Sequence, residues 1–215
     1  MTAAPVWLFD LDNTLHNATP HIFPHINRSM TAYLERHLAL STEDANALRN
    51  RYWHQYGATL LGLVRHHATD PQHFLRETHN FEHLHKIVVF DRALKGMLKK
   101  MPGRKIVFSN APRAYAESVL DVMGIRNLFD AVVGIEALAF QPKPGMAAYR
   151  RIIRRYRLNP RRCIMIEDTA VNLRTARQLG MRTVLVGRGT RHPAYVDVKI
   201  SSILKLRRAA GGLFG

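Results

Sequence analysis

The stretch Val6-Trp7-Leu8-Phe9-Asp10-Leu11-Asp12-Asn13-Thr14-Leu15 sets four apolar residues directly against two aspartates separated by one leucine. A short apolar run with no polar alternation reads as a strand buried on both faces, and the aspartates then stand at its carboxyl end. Three further runs share the pattern, at residues 106–108, 164–166 and 183–186, with a weaker one over 131–135. Between them, residues 113–123 and 169–179 carry apolar side chains at helical spacing, each closed by a glycine, Gly124 and Gly180.

Unalternating strands separated by helices predict an α/β fold with a doubly wound, Rossmann-like parallel-sheet core. Residues 16–90 break the rhythm. They show helical patterns over 26–38, 43–56 and 59–67 and no strand-like run before 87–90, and they hold eleven of the twelve histidines. The division that follows is a core of residues 1–15 and 91–215, with residues 16–90 as a helical insertion after the first strand.

Composition sets the class. A chain of 215 residues with 47% hydrophobic and 22% charged residues has an ordinary globular balance, which excludes wholesale disorder. The lone Cys163 can form no internal disulfide, residues 1–5 carry no basic leader, and no apolar run approaches bilayer length, so the expectation is a soluble cytoplasmic protein without a membrane partner. The net charge of +16 attracts anions. Its arginines fall in scattered pairs (Arg150-Arg151, Arg154-Arg155, Arg161-Arg162), and few aromatics alternate with them. That predicts a basic surface with no specific nucleic-acid site.

In open parallel sheets ligands bind beyond the strand carboxyl ends, so what each strand ends with decides the chemistry. The first ends Asp10-Leu11-Asp12, the second Ser109-Asn110, and the third Glu167-Asp168. Carboxylates crowded on one rim repel unless a cation or a shared proton compensates, and an all-oxygen donor set suits a hard ion such as Mg²⁺. Lys143, in Gln141-Pro142-Lys143-Pro144-Gly145, offers a counter-charge from a stiff loop.

These motifs resemble the four motifs of the haloacid dehalogenase superfamily in order: the run from Phe9 to Leu15, then Val107-Phe-Ser-Asn110, then Lys143, then Ile166-Glu-Asp168. The resemblance implies a phosphatase in which Asp10 is the nucleophile and Asp12 the acid that protonates the leaving oxygen and later activates water. Ser109 and the Asn110 amide would hold phosphoryl oxygens with Lys143 balancing charge. Mg²⁺ would sit on Asp10, the Asp12 carbonyl and Asp168, with Glu167 near, and Thr14 and Asn172 would orient these ligands. Dehalogenases of the superfamily lack the second aspartate, so Asp12 argues for phosphate-ester chemistry.

The insertion resembles a helical cap that closes over substrate, and within it Tyr56-Gly57-Ala58-Thr59-Leu60-Leu61-Gly62-Leu63 and the segment with Phe23, Asn27 and Met30 look most like the pyrimidine 5′-nucleotidase branch. On that reading the substrate is a small phosphorylated compound, a pyrimidine nucleoside 5′-monophosphate. Phe23, Tyr52, Tyr56 and Leu63 are then candidates for apolar contact with the base, and Asn27 and His66 for hydrogen bonds. A sugar-phosphate phosphatase or phosphosugar mutase shares every core motif. A basic nucleic-acid binder on a vestigial phosphatase fold is the alternative from another class, and the intact motif set speaks against it. The histidine pairs His21/His25 and His79/His83 have helical spacing but no cysteine to complete a transition-metal site.

Overall fold

In β1 (Val6–Phe9) the side chains alternate between two apolar layers: Trp7 and Phe9 pack to one side and Leu8 to the other, all buried. A strand covered on one face alone would show polar residues at every second place, so the uninterrupted apolar run demands cover on both. β2 (Arg104–Phe108) and β4 (Cys163–Glu167) repeat the arrangement. Val107, Ile164 and Ile166 join the layer of Trp7, and Ile106, Phe108, Cys163 and Met165 join that of Leu8. With β3 (Ala131–Val133), β5 (Arg182–Val186) and β6 (Val198–Ile200) they form a six-stranded parallel sheet in the order β3-β2-β1-β4-β5-β6. The structure, a computed structural model, describes residues 4–211, so the reading of residues 1–3 as free of a leader lies outside the described residues.

Within residues 16–90 the chain forms five helices: α1 (Ile22–Leu38), α2 (Thr42–Tyr56), α3 (Thr59–His67), α4 (Pro71–Thr78) and the short α5 (Leu84–Ile87). Ser41 and Asp70 cap α2 and α4 by accepting the amides of Asp44 and Gln72, and Gly57 ends α2 in the left-handed conformation. α1 to α4 bury Tyr33, Leu34, Leu48, Tyr52, Leu63 and Phe74 among themselves and against the sheet's neighbours. Residues 87–90, read from sequence as a strand, contribute only one isolated bridge, Asn17 to Val89, and take no place in the sheet. Apolar content there reflects packing of Ile87, Val88 and Phe90 on the core, which a short run cannot distinguish from strand pairing.

In the core, α6 (Ala93–Lys99) and α7 (Arg113–Val122) cover one face through Leu94, Leu98, Ala116, Val119 and Leu120. α8 (Met146–Tyr156) and α9 (Ala170–Gln178) cover the other through Ala148, Tyr149, Ile152, Leu173 and Ala176. The chain winds outward from β1 to β3, then returns past β1 to β4 and winds the other way, so connections leave β1 and β4 in opposite directions and open a crevice between them. The basic tail over 199–208 is part of this core: Lys199 lies in β6 and the buried Leu206 opens α10 (Leu206–Ala210).

One glycine in the insertion is fixed by close approach. A Cβ on Gly62 of α3 would overlap the ring of Tyr52 on α2, which is buried and hydrogen-bonded through its hydroxyl to His67 Nε2 at 2.8 Å. Gly62→Ala should therefore splay α2 from α3 and cost about 1–3 kcal/mol, the usual penalty for overpacking. A thermal melt of the variant within a degree of the parent would contradict this account of the helix pair.

Candidate active site

Phe9 pairs in register with Val107 and with Ile166, so the residues that follow these strands stand side by side at the crevice. The ladder runs one step past the strand ends: the Asp10 amide donates to the Ile166 carbonyl and the Ser109 amide to the Val133 carbonyl, both at 3.0 Å. Asp10, Ser109, Glu167 and Asp168, far apart in sequence, thus meet on one rim because the sheet register puts them there.

Lys143 is at the centre of the rim. Its Nζ donates to Asp10 Oδ1 at 2.7 Å and to Glu167 Oε1 at 2.8 Å and sits 5.1 Å from the centre of the Phe108 ring, with the residue 2% exposed. The Asn110 side chain grips the lysine backbone from both sides, accepting its amide at 2.8 Å and donating to its carbonyl at 3.0 Å. From sequence Asn110 was expected to act through its own amide; its side chain in addition builds the lysine's perch. Burial alone would push the Lys143 pKa down, but Asp10 and Glu167 more than reverse this and hold it protonated.

Asp10, Glu167 and Asp168 each bring a carboxylate oxygen within 4.8 Å of the others, a set of hard oxygen donors that fits a divalent cation such as Mg²⁺. Electrostatics agree: burial and the charge of Glu167 push the Asp10 carboxyl up to about 7 in spite of Lys143, and burial with Asp10 raises Asp168. Glu167 is already engaged, however, taking Lys143 and Asn172 Nδ2 on Oε1 (2.8 and 2.6 Å) and the Thr169 amide on Oε2 at 2.8 Å. It anchors the lysine first. Asn172, an expected orienting residue, donates to Glu167, whereas the hydroxyl of Thr14, the other one, is buried without a hydrogen-bond partner among the described residues.

The Asp12 side chain is anchored through one oxygen: Oδ1 accepts from the Tyr115 hydroxyl of α7 at 2.7 Å and lies 3.0 Å from Nε2 of the buried His16. Asn13, in the left-handed conformation that asparagine tolerates, lets the chain turn here, and its side chain takes the Ala18 amide at 3.0 Å to close the loop. Asp10 and Asp12 both line a cavity of about 580 Å³ between the rim and the insertion. Of the six recognition candidates, Phe23 and Asn27 line it. Tyr52 and Leu63 are buried between the insertion helices, and Tyr56 is bonded to His66 at 2.6 Å away from the cavity wall. Aromatic and apolar residues at helical spacing served helix packing here, the commoner use of that pattern.

The wall holds residues that sequence reading missed: Arg49, Asn50, Trp53 and His79. Arg49 is a cation without a carboxylate partner among the described residues, its guanidinium held by Asn27 Oδ1 at 2.8 Å and its buried Nε likewise unpartnered there. His79 is kept neutral by burial, its pKa pushed down to about 4, and His25 of the pair His21/His25 bonds the Asn80 carbonyl and stacks on Phe81. Replacing Lys143 tests the electrostatics of the rim. Lys143→Met leaves two buried carboxylates uncompensated and should cost about 3–5 kcal/mol. Because their folded pKa values are then raised further above the unfolded ones, the variant goes on losing stability with pH after the parent has stopped, so the deficit against the parent in chelator should grow as pH rises through the parent's value of about 7 for Asp10. A deficit that shrinks with rising pH would refute the assignment.

Against known proteins, the profile of the haloacid dehalogenase-like hydrolases matches residues 6–180. The phosphoglycolate phosphatase of Pseudomonas putida is 23% identical over 210 residues, 92% of this chain and 74% of that one. Among solved structures, the HAD phosphatase of Thermococcus onnurineus superimposes with a TM-score of 0.70 at 20% identity, covering 98% of this chain and 99% of that one. The L-2-haloacid dehalogenase of Xanthobacter autotrophicus does so with a TM-score of 0.62 at 14% identity, covering 98% and 100%. No described helix is long and apolar enough to cross a membrane. With the profile spanning the motifs at the ends of β1, β2 and β4 and the lysine between them, the chain belongs to the haloacid dehalogenase-like hydrolases and is an enzyme of that family.

Proposed function

We propose that this enzyme is a Mg²⁺-dependent phosphatase that works through a phosphoryl group carried on Asp10. The reading is carried by Asp10 itself, a carboxylate held 2.7 Å from a buried lysine on a cavity-lining rim with Asp168 and Ser109 beside it. Asp10 attacks phosphorus as the bond to the leaving oxygen breaks, and that oxygen takes a proton from Asp12. Water then attacks the same phosphorus, gives its proton to Asp12 and frees Asp10. Ser109 and Lys143 meet the charge on the phosphoryl oxygens. A bound Mg²⁺ supplies further Lewis-acid stabilisation of that charge. The fold is shared with a dehalogenase, so fold alone does not choose the chemistry. Asp12 chooses it, because only an oxygen leaving group needs a proton donor.

For the substrate, Arg49 is the informative residue. The cavity floor is acidic and suited to cation and phosphoryl group, while the insertion wall presents one guanidinium with no carboxylate among the described residues to satisfy it. A phosphate ester with a second anionic group fits this polarity, and relatives named phosphoglycolate phosphatase support that class. The pyrimidine-nucleotide reading rests on Phe23 and Asn27, both on the wall, in a cavity of about 580 Å³. The insertion, as a cap over residues 16–90, carries the discrimination on either reading.

Asp10→Asn should reduce turnover to background with the fold intact, and chelation should do the same reversibly. Catalytic efficiency on 2-phosphoglycolate should exceed that on UMP, CMP, AMP and glucose 6-phosphate. Arg49→Gln should lower it by roughly 10- to 150-fold, the value of about 1.5–3 kcal/mol for a charged hydrogen bond, while sparing p-nitrophenyl phosphate. A preference for UMP and CMP insensitive to Arg49 would establish the nucleotidase reading in its place.

A further inference from the structure

Asp12 lines the cavity, yet the protein holds its carboxylate through one oxygen only: the Tyr115 hydroxyl at 2.7 Å and His16 Nε2 at 3.0 Å both address Oδ1. We propose that Tyr115, supported by His16, is a positioning residue for the acid–base work of Asp12, fixing the carboxyl so that Oδ2 is the atom that gives and takes the proton. The inference rests on the aspartyl-phosphate reading above.

A protonated carboxyl has one oxygen that accepts and one that carries hydrogen. Two donors on Oδ1 make it the accepting oxygen and leave the proton on Oδ2, which has no hydrogen bond to the described residues. His16 can play this part only with its hydrogen on Nε2. The other tautomer would set a lone pair against Oδ1 and bury a bare N–H at Nδ1, an atom with no partner among the described residues. Tyr115 is buried, and burial together with Asp12 raises its pKa, so the phenol stays a donor. Its ring is held between His79 (5.7 Å between ring centres) and Phe81 (5.3 Å), both from the stretch between α4 and α5. During turnover the Oδ2 proton goes to the leaving oxygen as the Asp10–phosphorus bond forms. A proton from the attacking water returns to Oδ2 as that bond breaks, and Tyr115 and His16 keep their own protons throughout.

The test is rapid-quench measurement of phosphate transfer to Asp10 from two esters in the full-length enzyme with Mg²⁺. p-Nitrophenyl phosphate has a leaving phenolate that needs no proton, and phosphoglycolate has an alkoxide that does. Tyr115→Phe keeps the ring and removes the hydroxyl. It should slow transfer from phosphoglycolate by roughly 10- to 100-fold, within the usual worth of a general acid, and transfer from p-nitrophenyl phosphate by under about threefold. In an Asp12→Asn background the same change should have no more than about a twofold effect on either ester, since both residues act through one carboxyl. Equal slowing on the two esters, no slowing on either, or a full further loss in the Asp12→Asn background would overturn the proposal. Should Tyr115→Phe fail to fold, His16→Gln must show the same leaving-group-dependent loss or the proposal fails. Absence of phosphate on Asp10 in the parent enzyme refutes the underlying mechanism, and that outcome is distinct from a failure of the Tyr115 role alone, in which the parent still carries phosphate on Asp10.

Discussion

The Lys143 ammonium between Asp10 and Glu167 is the contact on which the rest of the site depends. A buried charge is tolerable only when it is paired and its remaining donors and acceptors are met, and the elements around this lysine do that one by one. Asn110, after β2, clamps its backbone. Asn172 of α9 and the Thr169 amide hold Glu167, and the Tyr149 hydroxyl of α8 steadies Asn172 through its carbonyl at 2.7 Å. Each partner comes from a different element, so the ion triad also ties the two halves of the sheet across the crevice. It still leaves more carboxylate than ammonium. With Asp168 beside the pair, one lysine faces three acids, and a further cation at the rim would relieve the repulsion that, after burial, raises Asp10.

The overall charge of +16 works at a distance from this acidic floor. The arginines at 154, 155, 161 and 162 lie where α8 turns back into β4, at the amino ends of the strands, whereas Asp10 and Asp168 lie at the carboxyl ends. At physiological salt a field is damped within about 8 Å, so those arginines raise the general attraction for anions and contribute little at the site itself. Among the charged groups on the cavity wall Arg49 stands apart, because no acidic group among the described residues neutralises it, and the substrate proposed above would be selected there.

What was legible in the sequence follows from what is local. Strands covered on both faces leave a signal in four or five consecutive residues, and the rim could be assembled from their ends because a parallel sheet puts all carboxyl ends together. β6 left no such signal: Val198-Lys199-Ile200 is a three-residue edge strand inside a basic tail. The burial of Lys143 was hidden for another reason. Its partners are 133 and 24 residues away, and a lysine between two prolines ordinarily lies at the surface. Tyr115 was concealed by its own helix, where an aromatic at an apolar position of α7 looks like packing and does pack, with only the hydroxyl revealing a second use. The recognition candidates erred in the opposite direction. Tyr52, Tyr56 and His66 have suitable chemistry, but α2 and α3 turn them toward each other and away from the cavity.

Those two kinds of error share a physical origin, and it bears on how function divides across the molecule. A family scaffold fixes backbone positions at the strand ends, so residues there can be read by order alone, and one fold can be common to a dehalogenase and a phosphatase. On the proposed mechanism, the phosphatase chemistry rests on one residue, Asp12, and on the environment that holds its side chain. That environment is built from three places: His16 at the exit from β1, Tyr115 on α7, and the His79–Phe81 stretch of the insertion that holds the Tyr115 ring. The insertion thus does more than line the cavity. It also packs the tyrosine bonded to Asp12, so on the proposed mechanism a change in the insertion that admits a different substrate would also bear on how the acid is held.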